Sequence, residues 1–270
     1  MVTLLTMIKY LEEISPSRFT FAGMDTKVEI GPQTEAIQEK TTVNRVIVAT
    51  YPSGKVVTKA SQEKANLLIS HRPLFPFALD RIYGLDLIRV RLLTKNYISS
   101  LSLGTSWIAA RDGIVDALSE TLGFTRVSEF MIAGDYNDLV PAGRVCQYPG
   151  LMNHSKLANY VAAKLSLDTV LFTGDLDEEV GNTLLLPGHY VDMPEVVMAK
   201  KQDIRTLITG ELSPEVRLMA AEDGMNVLEL GQFAGEEPGM KRLRHQISLE
   251  FPELRVEFTE SAPLSKSLSC

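Results

Sequence analysis

At 270 residues, with 45% hydrophobic and 23% charged side chains, the chain fits one large folded domain or two small ones, and wholesale disorder is excluded. Lys and Arg number 27 against 34 Asp and Glu, a formal net charge of -7 with no basic tail, which argues against non-specific binding to nucleic acid or an anionic membrane. The 2 cysteines, Cys146 and Cys270, exclude a disulfide scaffold and a Cys-rich zinc ribbon.

In chain order, Leu4, Leu5, Ile8, Leu11 and Ile14 recur at helical spacing, with Lys9, Glu12 and Glu13 on the other face. This predicts an amphipathic helix and not a signal peptide, which needs an unbroken apolar region and small residues after it. No apolar run approaches the ~20 residues of a membrane span. Free thiols without a signal point to the cytoplasm. Short runs rich in β-branched residues predict strands over 46–49, 66–70, 89–93, 183–186, 206–209, 227–230 and 254–258. Helical patterns lie between them over 55–64, 113–121, 155–165, 193–201, 214–223 and 239–250. The alternation predicts an α/β fold with mixed, largely parallel sheets flanked by helices. At 254–258, alternation of Leu254, Val256 and Phe258 with Arg255 and Glu257 suits a half-exposed edge strand.

Two stretches, 44–71 and 182–211, share one plan of strand, loop, helix and a strand ending in a polar turn. Leu-Leu-Ile-Ser-His at 67–71 and Leu-Ile-Thr-Gly-Glu at 207–211 coincide when the two are superposed. Two related α/β subdomains follow, with His71 and Glu211 at strand ends, where open α/β sheets bind ligands.

The sequence has no dinucleotide fingerprint, complete phosphate loop, HExxH or nucleophile elbow. Ser53-Gly54-Lys55 reads as a turn opening a helix. Of the 4 His, His71 ends a buried strand and precedes Arg72-Pro73, whereas His189 follows Pro187-Gly188 in a turn that could border a cleft. His154, at a helix start, and His245, in a charged helix, read as solvated. After strand 227–230, the segment 231–236 brings Gln232 and Glu236 to one face if it opens into a helix.

In order along nearly the whole chain stand Leu68-Ile69-Ser70-His71-Arg72-Pro73, Ser102-Leu103-Gly104-Thr105-Ser106-Trp107-Ile108 and Asp112-Gly113-Ile114-Val115-Asp116-Ala117-Leu118. Gly143-Arg144-Val145-Cys146, Thr209-Gly210-Glu211 and Leu230-Gly231-Gln232-Phe233-Ala234-Gly235-Glu236 follow. This ordered set resembles the Nif-three-like family, whose members are also known as GTP cyclohydrolase type-two homologues, in its short form. The resemblance implies a cleft between two α/β subdomains holding two divalent metals. His71 and Glu236 fall on retained ligand positions, while Arg72, Ile108 and Gln232 fall where the family has His, Asp and His. Glu215 falls near a further family His.

The resemblance thus implies a degenerate metal site. One reading is a non-catalytic or weakly active protein whose cleft, bordered by Arg72, Gln232, Glu215, Glu211 and His189, binds a small anion. The alternative is a metal-dependent hydrolase of a small, nucleotide-like substrate using a single divalent metal on His71 and Glu236. No cofactor is firmly implied; one divalent metal belongs to the alternative reading alone. The first subdomain is expected over 1–125 with 236–270, and the second over 126–235. By the same resemblance the chain is expected to form a homo-oligomeric, six-membered ring; its acidic charge and lack of a long apolar run, read from the sequence itself, leave no nucleic-acid or membrane partner expected.

Overall fold

A computed structural model describes residues 1–261. Cys270 and the expected reach of the first subdomain to residue 270 lie outside the described residues. The chain divides into two compact units: Met1–Arg111 with Gly134–Tyr136 and residues 240–261, and Asp112–Ala133 with Asn137–Gly239. The first division falls at Arg111/Asp112, where 125/126 was expected, because the helix after it is tied by Asp116 to Arg144 of the second sheet.

The first unit contains α1 (Leu4–Ile14), β1 (Lys27–Ile30), α2 (Glu35–Gln38), β2 (Arg45–Ala49), α3 (Gly54–Gln62), β3 (Leu67–Ser70), α4 (Gly84–Lys95), β4 (Ser99–Ser102), α5 (Ser106–Ala109) and β11 (Arg255–Phe258). Its sheet has the order β1-β4-β3-β2-β11, parallel except for β1 against β4. Val56, Val57 and Ala60 of α3 and Leu93 of α4 bury Ile47, Ala49 and Leu68 on one face. At the edge, β11 keeps Val256 buried and Arg255 exposed, as its alternation predicts.

The second unit contains α6 (Ile114–Thr121), β5 (Thr125–Ala133), β6 (Leu139–Gln147), α7 (His154–Leu165), β7 (Leu171–Thr173), β8 (Thr183–Leu186), α8 (Met193–Lys201), β9 (Thr206–Thr209), α9 (Pro214–Glu222) and β10 (Asn226–Glu229). The order is β5-β6-β8-β9-β10-β7. Only β8, β9 and β10 pair in parallel, so this sheet is mixed but not largely parallel. The β5–β6 hairpin is the reason, since a short turn can only join antiparallel strands. The last helix, α10 (Gln232–Glu250), begins in residues of the second unit and ends in residues of the first.

The internal repeat extends further than the two matching stretches. Each repeat opens on a helix, α1 or α7, whose capping side chain, Thr3 or Asn153, accepts a backbone N–H of the first turn. Each cap residue also bridges an incoming loop, Thr3 to Thr42 and Asn153 to Glu179. Three parallel strands follow with helices between them, and an antiparallel strand flanks the third: β1 beside β4, and β7 beside β10. The registers match, with Ala49, Ser70 and Ser102 aligned in one sheet and Leu186, Thr209 and Glu229 in the other.

Two predicted elements and one residue are corrected. Residues 89–93 are not a strand but the second half of α4; Arg89 turns inward, pairs with Asp86 one turn back and donates to the Pro52 carbonyl at 3.1 Å. Helix α10 starts at Gln232, not Gly239, and runs through Pro238. Its glycines are packing residues: a Cβ on Gly235 would lie 2.9 Å from Pro187 Cβ, and one on Gly239 2.5 Å from Ile114 Cα. His154 is not solvated but fully buried, with Nδ1 2.8 Å from the Glu178 carbonyl and Nε2 2.9 Å from the Thr206 hydroxyl. Strands β1, β4, β5, β6 and β7 have no counterpart among the predicted elements.

Candidate functional site

In each unit the candidate residues follow the carboxyl ends of the parallel strands, where backbone groups leave the ladder and side chains become available to a ligand. In the first unit His71 and Arg72 follow β3. The His71 N–H donates to the Ala49 carbonyl at 3.2 Å and the Arg72 N–H to Thr50 at 2.9 Å, extending the β2–β3 ladder beyond the strands. The Ser70 hydroxyl closes the turn on the Arg72 carbonyl at 2.8 Å. His71 is fully buried, and Arg72 is only 7% exposed. Further along, the Leu74 N–H is held by the Glu29 carboxylate of β1 at 2.7 Å. Burial pushes the Glu29 carboxyl above its ordinary range, against the lowering effect of the backbone donors of Leu74 and Phe75.

After β4 the turn at Gly104 sits in the left-handed region at φ +63°, and a Cβ there would lie 1.9 Å from the Met24 carbonyl oxygen. Only glycine fits. Ile108, in α5, is fully buried and offers no donor atom. The hydroxyls of Thr50 and Ser102, at the ends of β2 and β4 on either side of β3, are buried and make no hydrogen bond among the described residues.

In the second unit Glu211 follows β9, and its N–H donates to the Gly188 carbonyl at 2.9 Å. Gln232, opening α10 after β10, donates from Nε2 to Glu211 Oε2 at 3.1 Å. One turn on, Glu236 is fully buried beneath the Pro187–Gly188 turn; a Cβ on Gly188 would lie 3.2 Å from its Oε1. Glu211, Gln232, Glu236 and the Gly188 turn therefore form one group. His189 extends from that turn into solvent and stacks on Tyr190, ring centroids 4.7 Å apart. Glu215 is exposed in the first turn of α9, behind the Ser213 cap, where a carboxylate favours the helix N-terminus.

Two motif pieces meet away from these loops. Asp116 of α6 and Arg144 of β6 form a buried bidentate pair, Nε to Oδ1 at 2.7 Å and Nη2 to Oδ2 at 3.3 Å. Burial would raise the Asp116 carboxyl, but the Arg144 bonds and charge, the Asp112 N–H and Arg126 outweigh it and hold it below the usual carboxylate range. The neighbouring Cys146 thiol is pushed up by burial, so this cysteine is an inert core group. Sequence reading singled out both motifs without pairing them; opposite charges in two otherwise apolar segments were the available signal.

Residues 3–264 match the family model described as Duf34/NIF3 (NGG1p interacting factor 3). A protein of Clostridium perfringens named GTP cyclohydrolase 1 type 2 homolog is 24% identical over 260 residues, covering 94% of each chain. Among solved structures, the Bacillus cereus protein related to NIF3 superposes with a TM-score of 0.81 at 15% identity, covering 100% of this chain and 99% of that one. Reduced HcgD from Methanocaldococcus jannaschii gives 0.78 at 17% identity, covering 95% and 97%.

Proposed function

Because this chain belongs to the Duf34/NIF3 family, we propose that it is a non-catalytic or weakly active member that lacks the two-metal centre and binds a small oxyanion through Arg72. The observation that carries this reading is a buried guanidinium at the carboxyl end of β3, directly after His71. A guanidinium stays protonated, cannot ligate a cation and suits the paired oxygens of carboxylate, sulfate or phosphate. Thr50 and Ser102 supply hydroxyls at the two adjacent strand ends.

The residues present do not fit two divalent metals. Ile108 has no donor, Gln232 gives its amide to Glu211, and Arg72 adds a positive charge. A unit charge ~4 Å from another is worth ~4 kcal/mol at an effective dielectric near 20, so Arg72 would oppose a nearby divalent ion by more than that. Among the described residues no group of three or more His, Cys, Asp or Glu side chains is arranged to hold a metal.

The test pairs calorimetric titration with inorganic phosphate and with GTP, the nucleotide in the relative's name, with elemental analysis of protein purified without chelator. Saturable anion binding lost in Arg72→Ala supports the reading. Metal near one equivalent per chain, with hydrolysis of a nucleotide, replaces it with the single-metal hydrolase, His71 and Glu236 then being the ligands. The triple change Arg72→His, Ile108→Asp and Gln232→His is expected to create divalent-metal binding with the fold unchanged; a folded triple variant that binds none sinks the assignment of those three positions. The proposal also keeps a cytoplasmic location and a ring of six chains. Among the described residues no helix is long and apolar enough to cross a membrane.

A further inference from the structure

In both units a carboxylate from the sheet holds the backbone of the turn after the second parallel strand. In the second unit Glu229 of β10 accepts the Leu212 N–H at 2.8 Å, and Arg217 of α9 neutralises it through Nε at 2.7 Å and Nη2 at 2.9 Å. In the first unit Glu29 of β1 accepts the Leu74 N–H at 2.7 Å. Glu29 is the extra residue of a bulge, between Val28 opposite Leu101 and Ile30 opposite Ser100, and a bulge re-aims a side chain in this way.

What the first unit omits is the neutralising arginine. Arg89 of α4 acts on Glu29 by charge alone. Its bonds go instead to Asp86 and the Pro52 carbonyl, and its buried Nε has no hydrogen-bond partner among the described residues. Lys27 of β1 likewise acts on Glu29 by charge alone. Beside the bulge, β4 contributes serines and no charge, and the buried hydroxyls of Ser100 and Ser102 make no hydrogen bond among the described residues. Arg72 precedes Leu74 by two residues, at most about 7 Å of backbone, so the guanidinium and the Glu29 carboxylate border one strand-end site.

We propose that this site of the first unit takes a small zwitterion, with its oxyanion on Arg72 and its ammonium group on Glu29. The inference rests on the oxyanion reading above and adds the second pole of the ligand. An ammonium brings to Glu29 the positive charge that Arg217 brings to Glu229. Its three N–H donors suit a carboxylate together with serine hydroxyls, which accept as well as donate. A plain anion on Arg72 would be repelled by the nearby Glu29 carboxylate, whereas a zwitterion is attracted at both ends.

The test is calorimetric titration of the full chain with phosphoethanolamine and with propyl phosphate, which carries a methyl group in place of the ammonium. The wild type is expected to bind phosphoethanolamine about tenfold more tightly, the scale of a hydrogen bond to a charged group. In Glu29→Gln, which keeps an oxygen for the Leu74 N–H, that preference is expected to vanish, and Arg72→Ala is expected to lose both ligands. Should Glu29→Gln not fold, the pH profile of the wild-type affinity ratio carries the test, since the phosphate titration is common to both probes and cancels. Burial raises the Glu29 carboxyl, and only its ionised form attracts an ammonium. The preference is therefore expected to hold above that raised value and to decline as pH falls through it, beginning above the ordinary carboxylate range. Equal affinities in the wild type overturn this inference and leave the oxyanion reading standing, whereas a wild type that binds neither probe overturns both. A preference that survives in folded Glu29→Gln, or that stays flat as Glu29 titrates, also overturns the inference.

Discussion

Apart from the short helix α2, the two units carry the same run of elements from α1 to β4 and from α7 to β10, yet they spend their buried polar groups differently. The first places Ser99, Ser100 and Ser102 in its third strand and an arginine at the end of its second. The second places Glu229 at the end of its third strand, bound by the Leu212 N–H at 2.8 Å and by Arg217 at 2.7 Å. One backbone plan thus carries a cationic strand-end loop in one copy and an acidic group, Glu211, Gln232 and Glu236, in the other. Fold leaves function open, and strand-end side chains decide it.

The largest effect is expected at a pair with no equivalent in the first unit. Arg144→Leu leaves Asp116 buried without its bidentate partner and should cost about 3–5 kcal/mol; urea titration of the variant checks it. A loss below about 1 kcal/mol would mean that the pair contributes little to stability. Acid should weaken the same pair. The Asp116 pKa is depressed in the fold, so its contribution is present above the ordinary Asp value and is lost as pH falls through the folded value.

The matched turns sharpen the comparison. Gly104 and Gly231 follow the third strand of their repeats at φ +63° and +73°, but a Cβ meets the Met24 carbonyl at the first and nothing within 4 Å at the second. Gly231→Ala should cost about 1–2 kcal/mol, the left-handed penalty alone. Gly104→Ala should cost about 1–3 kcal/mol more, because the backbone must also shift. Equal midpoints for the two variants would refute the distinction.

At the first helical position Leu4 and His154 are both fully buried, one apolar and one hydrogen-bonded. Burial lowers the His154 pKa, partly offset by the Glu178 carbonyl. The folded state therefore binds protons less readily than the unfolded one, and its stability falls as pH drops below the unfolded value of about 6.5. His154→Leu should remove that acid limb while costing about 1–3 kcal/mol for the groups left unpaired. A variant with the wild-type pH profile would place the titration elsewhere. The smallest effects belong to the caps. Thr3→Ala and Asn153→Ala should each cost about 1 kcal/mol in thermal melts, and similar losses at both sites would match the repeat.

Residue order alone determined the α/β class, the presence of α1, the boundaries of α8, the parallel strands β2, β3, β8 and β9, and the equivalence of His71 with Glu211 as strand-end residues. Each rests on local apolar periodicity, which depends on near neighbours in the chain. Tertiary structure decided the rest. Ser99–Ser102 has no intrinsic strand signal and is a strand because β3 and β1 pair with it on both sides. Arg89 alternates with apolar neighbours like a strand residue, but Asp86 and the Pro52 carbonyl are available only to a helix packed there. Gly235 and Gly239 look like helix breakers until Pro187 and Ile114 occupy the space of their missing side chains. His154 is buried because two distant segments supply its partners. Partners remote in sequence set these outcomes, and local pattern carries no record of them.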